Sequence, residues 1–227
     1  MVKEELIQRS PLRVFEKSIH GGLKAGEIGI IASKRGIGKT SVLVQLALDN
    51  LMQGKKVIHI SFVKHTHYVL DWYENIFDEF INRKDLENTS EIKDEIIKNR
   101  VLMNFNQELM SKEQIIKSLR AMIVEGGFAA EALIIDGFDF SSTPLESIKL
   151  IKDFAKEMGL LVWYSCTVND EGPLNKDILD LIDVVIMLKS RPVPPHIELS
   201  VAKDRDAADT RNMAMQLDPK TLLILEN

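Results

Sequence analysis

Ser33-Lys34-Arg35-Gly36-Ile37-Gly38-Lys39-Thr40 has the residue types that hold a polyphosphate, in the spacing that such a grip needs. A loop wrapping phosphate must point backbone N–H groups inward, and Gly36 and Gly38 supply the freedom for that path. A helix starting at the loop's end adds the positive pole of its dipole. Lys39 then reaches the terminal phosphates as a point charge, and the Thr40 hydroxyl is a ligand for Mg²⁺. Ser33 departs from the usual pattern, which opens with glycine, but this position mainly shapes the turn leaving the strand. Lys34 and Arg35 read as exposed cations at the rim. Magnesium also needs a carboxylate, usually at the end of an apolar strand, and Asp136 in Ala-Leu-Ile-Ile-Asp-Gly meets that requirement.

The elements that must position these residues are legible around them. Short β-branched runs alternate with amphipathic stretches, the pattern of a mostly parallel sheet covered by helices on both faces. Strands are expected at 27–33, 55–62, 101–105, 132–138 and 160–165, and again at 183–188. A helix follows Thr40 until Gly54, and another runs over 112–125. Thr143, Pro144 and Glu146 read as N-cap, first-turn proline and capping-box partner of a helix that Gly159 closes. The tail from His196 reads as antiparallel strands at the end of the parallel sheet. Residues 68–100 form a helical excursion with nine acidic and five basic residues. Its stripe of Val69, Trp72, Ile76 and Phe80 is read as core-facing.

Composition bounds the function. A chain of 227 residues, 45% hydrophobic, suits one domain spanning 1–227. The net charge of −5 provides no global field for nucleic acid. The expected strand-to-helix loops at 138–147 and 166–177 hold few cations, so nucleic acid is disfavoured as a partner. One cysteine, Cys166, excludes an internal disulfide and suits a reducing cytoplasm. No apolar run is long enough to insert in a membrane, and the first residues lack a signal peptide's apolar segment.

With these landmarks in order, the chain resembles the RecA-like P-loop ATPases, most closely the KaiC/DnaB-type branch. The likeness lies in Gly21 through Phe62, then Leu133-Ile134-Ile135-Asp136-Gly137-Phe138, the stretch 151–165, the strand 183–188 and the late Val201-Ala202-Lys203-Asp204-Arg205-Asp206. It implies a three-layer RecA-like fold, ATP held by Lys39 and Thr40, Mg²⁺ supported by Asp136, and a homo-oligomer or partner protein completing the site. In that family a Lys-x-Arg pair acts on the neighbouring subunit's nucleotide; Lys203 and Arg205, two apart on a strand, would lie on one side to do so. Lys34 also fits the deviant loop of MinD- and ParA-like ATPases, where a lysine reaches across a dimer, but the lead-in before the loop strand departs from that group.

Departures from the resembled pattern bear on turnover. The family places a water-polarising glutamate at the end of the second strand, where this chain has Val63 and Lys64. The other usual place, after Asp136, holds Gly137, and the glutamine that senses γ-phosphate is replaced by Cys166. His65 and His67 are the titratable neighbours that could stand in as base. The expectation is therefore a nucleotide-dependent regulatory or assembly component whose hydrolysis is weak or absent, with an active ATPase as the alternative. An interaction module without nucleotide binding is the third reading.

Overall fold

The computed structural model describes residues 4, 7–8, 10–62, 66–84, 89–106, 111–168, 175–207 and 210–226. In chain order these give α1 (Leu12–Ser18), β1 (Ile28–Ser33), α2 (Lys39–Met52), β2 (Val57–Ser61), α3 (Thr66–Lys84), α4 (Ser90–Lys98) and β3 (Arg100–Asn104). There follow α5 (Lys112–Arg120), continued by a π-helical turn (Ala121–Glu125), β4 (Ala132–Asp136), α6 (Leu145–Met158), β5 (Leu161–Thr167) and α7 (Lys176–Leu181). Strands β6 (Val184–Pro192), β7 (Pro195–Asp204), β8 (Arg211–Leu217) and β9 (Ile224–Glu226) complete the chain.

All nine strands belong to one sheet, ordered β3-β2-β4-β5-β1-β6-β7-β8-β9. The pairs up to β1–β6 are parallel, and β6 to β9 pair antiparallel. Both faces are covered, which is why β1, β2 and β4 read as continuous apolar runs and are buried throughout. Alternation along β1 sends Ile31 to the face packed by α1–α4, and Ile28, Ile30 and Ala32 to the face packed by α5–α7.

The helical excursion is α3 and α4. Val69, Tyr73, Ile76 and Phe77 are buried, and Trp72 and Phe80 pack against the same core, so its stripe faces inward. Gly159, in the left-handed region, ends α6 as expected. The start of α6 differs from the expected capping box: the helix begins at Leu145, with no side-chain cap. Thr143 Oγ1 instead donates to the Asp139 carbonyl one turn earlier, which takes its hydroxyl away from the helix N-terminus. Among the described residues no helix is long and apolar enough to cross a membrane.

Candidate functional site

Parallel register brings the chemistry to one edge. Ser33 at the end of β1 pairs with Thr167 of β5, and Ser61 at the end of β2 pairs with Asp136 of β4. In an open α/β sheet the carboxyl ends of the strands are where ligands bind, and β2 and β4 diverge here, one leading to β3 and the other to β5.

The loop turns through two left-handed glycines, Gly36 at φ 81° and Gly38 at φ 108°, before α2 starts at Lys39. Their surroundings differ. A Cβ on Gly36 would meet nothing within 4 Å, whereas one on Gly38 would stand 2.5 Å from Leu217 Cδ2. Gly38→Ala therefore strains the backbone and also forces the end of the Leu217 side chain to shift, and should cost about 1–3 kcal/mol. Gly36→Ala should cost less, because only its backbone is strained; thermal melts of both variants check the order. Lys34 and Arg35 are exposed at the rim, while Ile37 is partly buried and packs against the core.

Lys39 is folded back on its own loop. Its Nζ donates to the Ser33 carbonyl at 3.2 Å, to Ser33 Oγ at 3.3 Å and to the Lys34 carbonyl at 3.0 Å. Ser33 thus has a positive use, because its side-chain oxygen is one of the lysine's acceptors. Burial lowers the pKa of the Lys39 ammonium, and Asp136 and then Cys166 act against that shift. Thr40 Oγ1 donates to Asp136 Oδ2 at 2.8 Å, so the two sequence-predicted magnesium ligands meet although 96 residues separate them. Asp136 is 3% exposed, and the turn after it is fixed by the Gly137 N–H donating to Ser165 Oγ at 2.8 Å. A hydroxyl beside a single carboxylate is the hard-oxygen set that suits Mg²⁺ shared with phosphates. No group of three or more His, Cys, Asp or Glu residues able to hold a metal alone occurs among the described residues.

Cys166 lies one strand away, 2% exposed, and burial pushes its thiol up to about 12, only partly opposed by Lys39. It is a neutral, inert thiol at physiological pH. The positions of Val63, Lys64 and His65 lie outside the described residues; His67 is exposed in the first turn of α3. Beside the loop, Ser33, Lys34 and Ile37 form one wall of a cavity of about 1020 Å³, floored by Val185, Met187 and Ala202. That is the size of a small-molecule site.

Two residues of the site region escaped the reading of the sequence. Ser165 fixes the turn after Asp136, and His59, on the same strand as Ser61, is wholly buried. The His59 ring stands with Nδ1 3.1 Å from the Tyr73 hydroxyl, and its Nε2 has no hydrogen-bond partner among the described residues. Burial holds its pKa down to about 4; Asp136 works against this and Arg100 adds to it, so the ring is neutral. A histidine inside Val-Ile-His-Ile-Ser was the available signal.

The expected pairing of Lys203 and Arg205 is corrected. β7 ends at Asp204, and Arg205 follows it at φ 55°, so the two are not alternate residues of one strand, although both line the cavity beside the loop. Lys203 Nζ donates to the carbonyls of Leu179 and Ile182, tying down the end of α7. The Arg205 guanidinium binds Glu27 Oε2 at 2.8 Å, the Gly22 carbonyl at 2.8 Å and Asp204 Oδ1 at 2.6 Å. Those partners precede β1 or end β7, which places Arg205 at the amino edge of the sheet, in the lining of the same cavity as Ser33, Lys34 and Ile37. Neither a scan of protein-family models nor a search of curated proteins gives a match to this chain.

Proposed function

We propose that this chain is a RecA-like P-loop protein of the KaiC/DnaB type that binds ATP with Mg²⁺ and acts in the cytoplasm as a nucleotide-dependent regulatory or assembly component. The observation that carries the reading is the meeting of Thr40 Oγ1 and Asp136 Oδ2 at 2.8 Å beside a half-buried Lys39 whose ammonium rests on loop carbonyls. In this reading Lys39 exchanges those carbonyls for phosphate oxygens, which accept a stronger, charge-assisted bond. Thr40 and Asp136 hold the magnesium ion, whose part is to neutralise phosphate charge. Gly36, Gly38 and the first turn of α2 present backbone N–H groups to the same phosphates.

Slow or absent hydrolysis follows from the residues in the water-activating places. Val63 has no proton acceptor, Lys64 has an amine in place of a carboxylate, and Gly137 has no side chain. Cys166, a weak hydrogen-bonding group, stands in the sensor position. The protein should bind one ATP per chain while releasing phosphate far below the roughly 1–1000 s⁻¹ common among enzymes. A continuous phosphate-release assay beside a direct ATP-binding titration decides. Turnover at enzymic rates that disappears in Lys39→Ala would replace this reading with that of an active ATPase.

A further inference from the structure

On the sheet face packed by α1–α4, three helices and the edge strand β9 stand apart from one another. Leu12 of α1, Leu48 and Met52 of α2, Phe77 and Phe80 of α3 and Leu225 of β9 wall a cavity of about 250 Å³. An apolar cavity of ~150 Å³ takes up a benzene ring, so this one exceeds a single aromatic ring. It falls just short of the ~300 Å³ at which pockets for drug-sized molecules begin. A sphere of that volume is about 8 Å across, narrower than the ~10–12 Å of an α-helix with its side chains. The occupant that fits is a compact apolar molecule somewhat larger than benzene, and not a partner helix.

The walls are held in place by hydrogen bonds behind them. Gln45 Nε2 donates to the Leu222 carbonyl at 2.9 Å, Gln45 Oε1 accepts from the Ile224 N–H at 2.8 Å, and Ser41 Oγ donates to the same Leu222 carbonyl at 2.6 Å. These bonds tie α2 to the segment that enters β9, and they occupy both ends of the Gln45 amide, which itself lines the cavity. Walls fixed in advance spare a ligand the cost of ordering them. Among the described residues, Glu226 is the one charged side chain in the lining, and it is exposed, so its carboxylate stands on the solvent side. Phe77 and Phe80 contribute aromatic rings, whose faces attract a cation as well as an apolar body. Apolar walls with one carboxylate at the rim select an apolar molecule that carries a positive charge.

We infer that this cavity is a binding site for a small amine with an aromatic or branched aliphatic body. The body lies among Leu48, Phe77 and Leu225, and the ammonium faces Glu226. None of Ser33 to Thr40 lines the cavity, nor does Asp136, so the site stands or falls apart from the nucleotide-binding reading.

Isothermal titration calorimetry of the full chain, without nucleotide and at low salt, tests the site with two probes of one skeleton, phenethylamine and 3-phenylpropanoate. Phenethylamine should saturate one site per chain. The carboxylate probe should bind at least about threefold more weakly, because Glu226 attracts one charge and repels the other. Glu226→Gln should bring the two probes to within about twofold of each other and leave the melting temperature in place, since its side chain is exposed. Leu225→Trp fills the cavity from the edge strand and should weaken phenethylamine about tenfold or more. Lys39→Ala should bind phenethylamine as the wild type does. A wild type that binds neither probe, or binds both alike, overturns the inference. So does a preference for the amine that survives Glu226→Gln, a measurement that decides even where Leu225→Trp fails to fold, and so does phenethylamine binding indifferent to a folded Leu225→Trp.

Discussion

ATP with Mg²⁺ should raise the melting temperature by roughly 5–10 °C when ATP stands about a hundredfold above its Kd, and Lys39→Ala should cut the shift at the same ATP concentration to about half or less. The size follows from linkage: such an excess stabilises the folded state by ~2.7 kcal/mol, and a domain of this length moves by ~2–4 °C per kcal/mol. The direction of the mutation follows from the site. Lys39 contributes the one ammonium anchored inside the loop, on the Ser33 and Lys34 carbonyls. Charged hydrogen bonds are worth ~1.5–3 kcal/mol, so its removal should weaken ATP binding about 10- to 100-fold. The variant should melt close to the wild type without ligand, because alanine leaves the loop's glycines and the first turn of α2 in place. A wild type whose melting ignores ATP, with or without Mg²⁺, would leave only the reading as an interaction module. Asp136→Asn separates the metal from the phosphates: it should retain part of the ATP-dependent shift but lose its dependence on Mg²⁺.

Asp204→Ala should destabilise the fold by about 3–5 kcal/mol, the range for removing one partner from a buried ionic cluster. The Asp204 carboxylate is buried and accepts from His20 Nδ1 at 2.5 Å, Arg205 Nη1 at 2.6 Å and Arg211 Nη2 at 2.6 Å. It joins the segment after α1 to the end of β7 and the start of β8, so its loss leaves cationic groups facing one another. At ~2–4 °C per kcal/mol the melting temperature should fall by about 6–20 °C. Asp204→Asn, which keeps an acceptor but not the charge, should fall in between. Burial by itself raises the pKa of Asp204, but the hydrogen bonds from His20, Arg211 and Arg205 outweigh it, and the net shift is downward. Stability from this group is therefore complete above its unfolded value, near pH 4, and drains away as pH falls through the lower folded value. Melting curves in acid should show the wild type losing stability more steeply than Asp204→Ala; parallel curves would remove the cluster from the acid response.

The features that local rules govern were legible in the chain. Gly36, Gly38, Lys39 and Thr40 announce a strand-to-helix turn because glycine alone enters the left-handed region freely, and both glycines occupy it. The stripe of Val69, Trp72, Ile76 and Phe80 announced a core-facing helix because helical periodicity is a local property. Strand parity, also local, fails wherever the strand stops: Lys203 and Arg205 looked like one pair, but β7 ends between them. Thr143 looked like a cap, and the Asp139 carbonyl claimed its hydroxyl.

The sequence by itself determined the alternation of strands and helices, the phosphate-type loop and the candidate carboxylate, because each depends on residues within one or two turns. Only the tertiary structure decided that Asp136 meets Thr40, that Ser165 fixes the turn behind it, and that Arg205 is held at the opposite edge of the sheet. Those contacts depend on strand order and register. The physical reason is that β5 is inserted between β4 and β1, an arrangement set by packing both sheet faces at once, and no short stretch of residues encodes it.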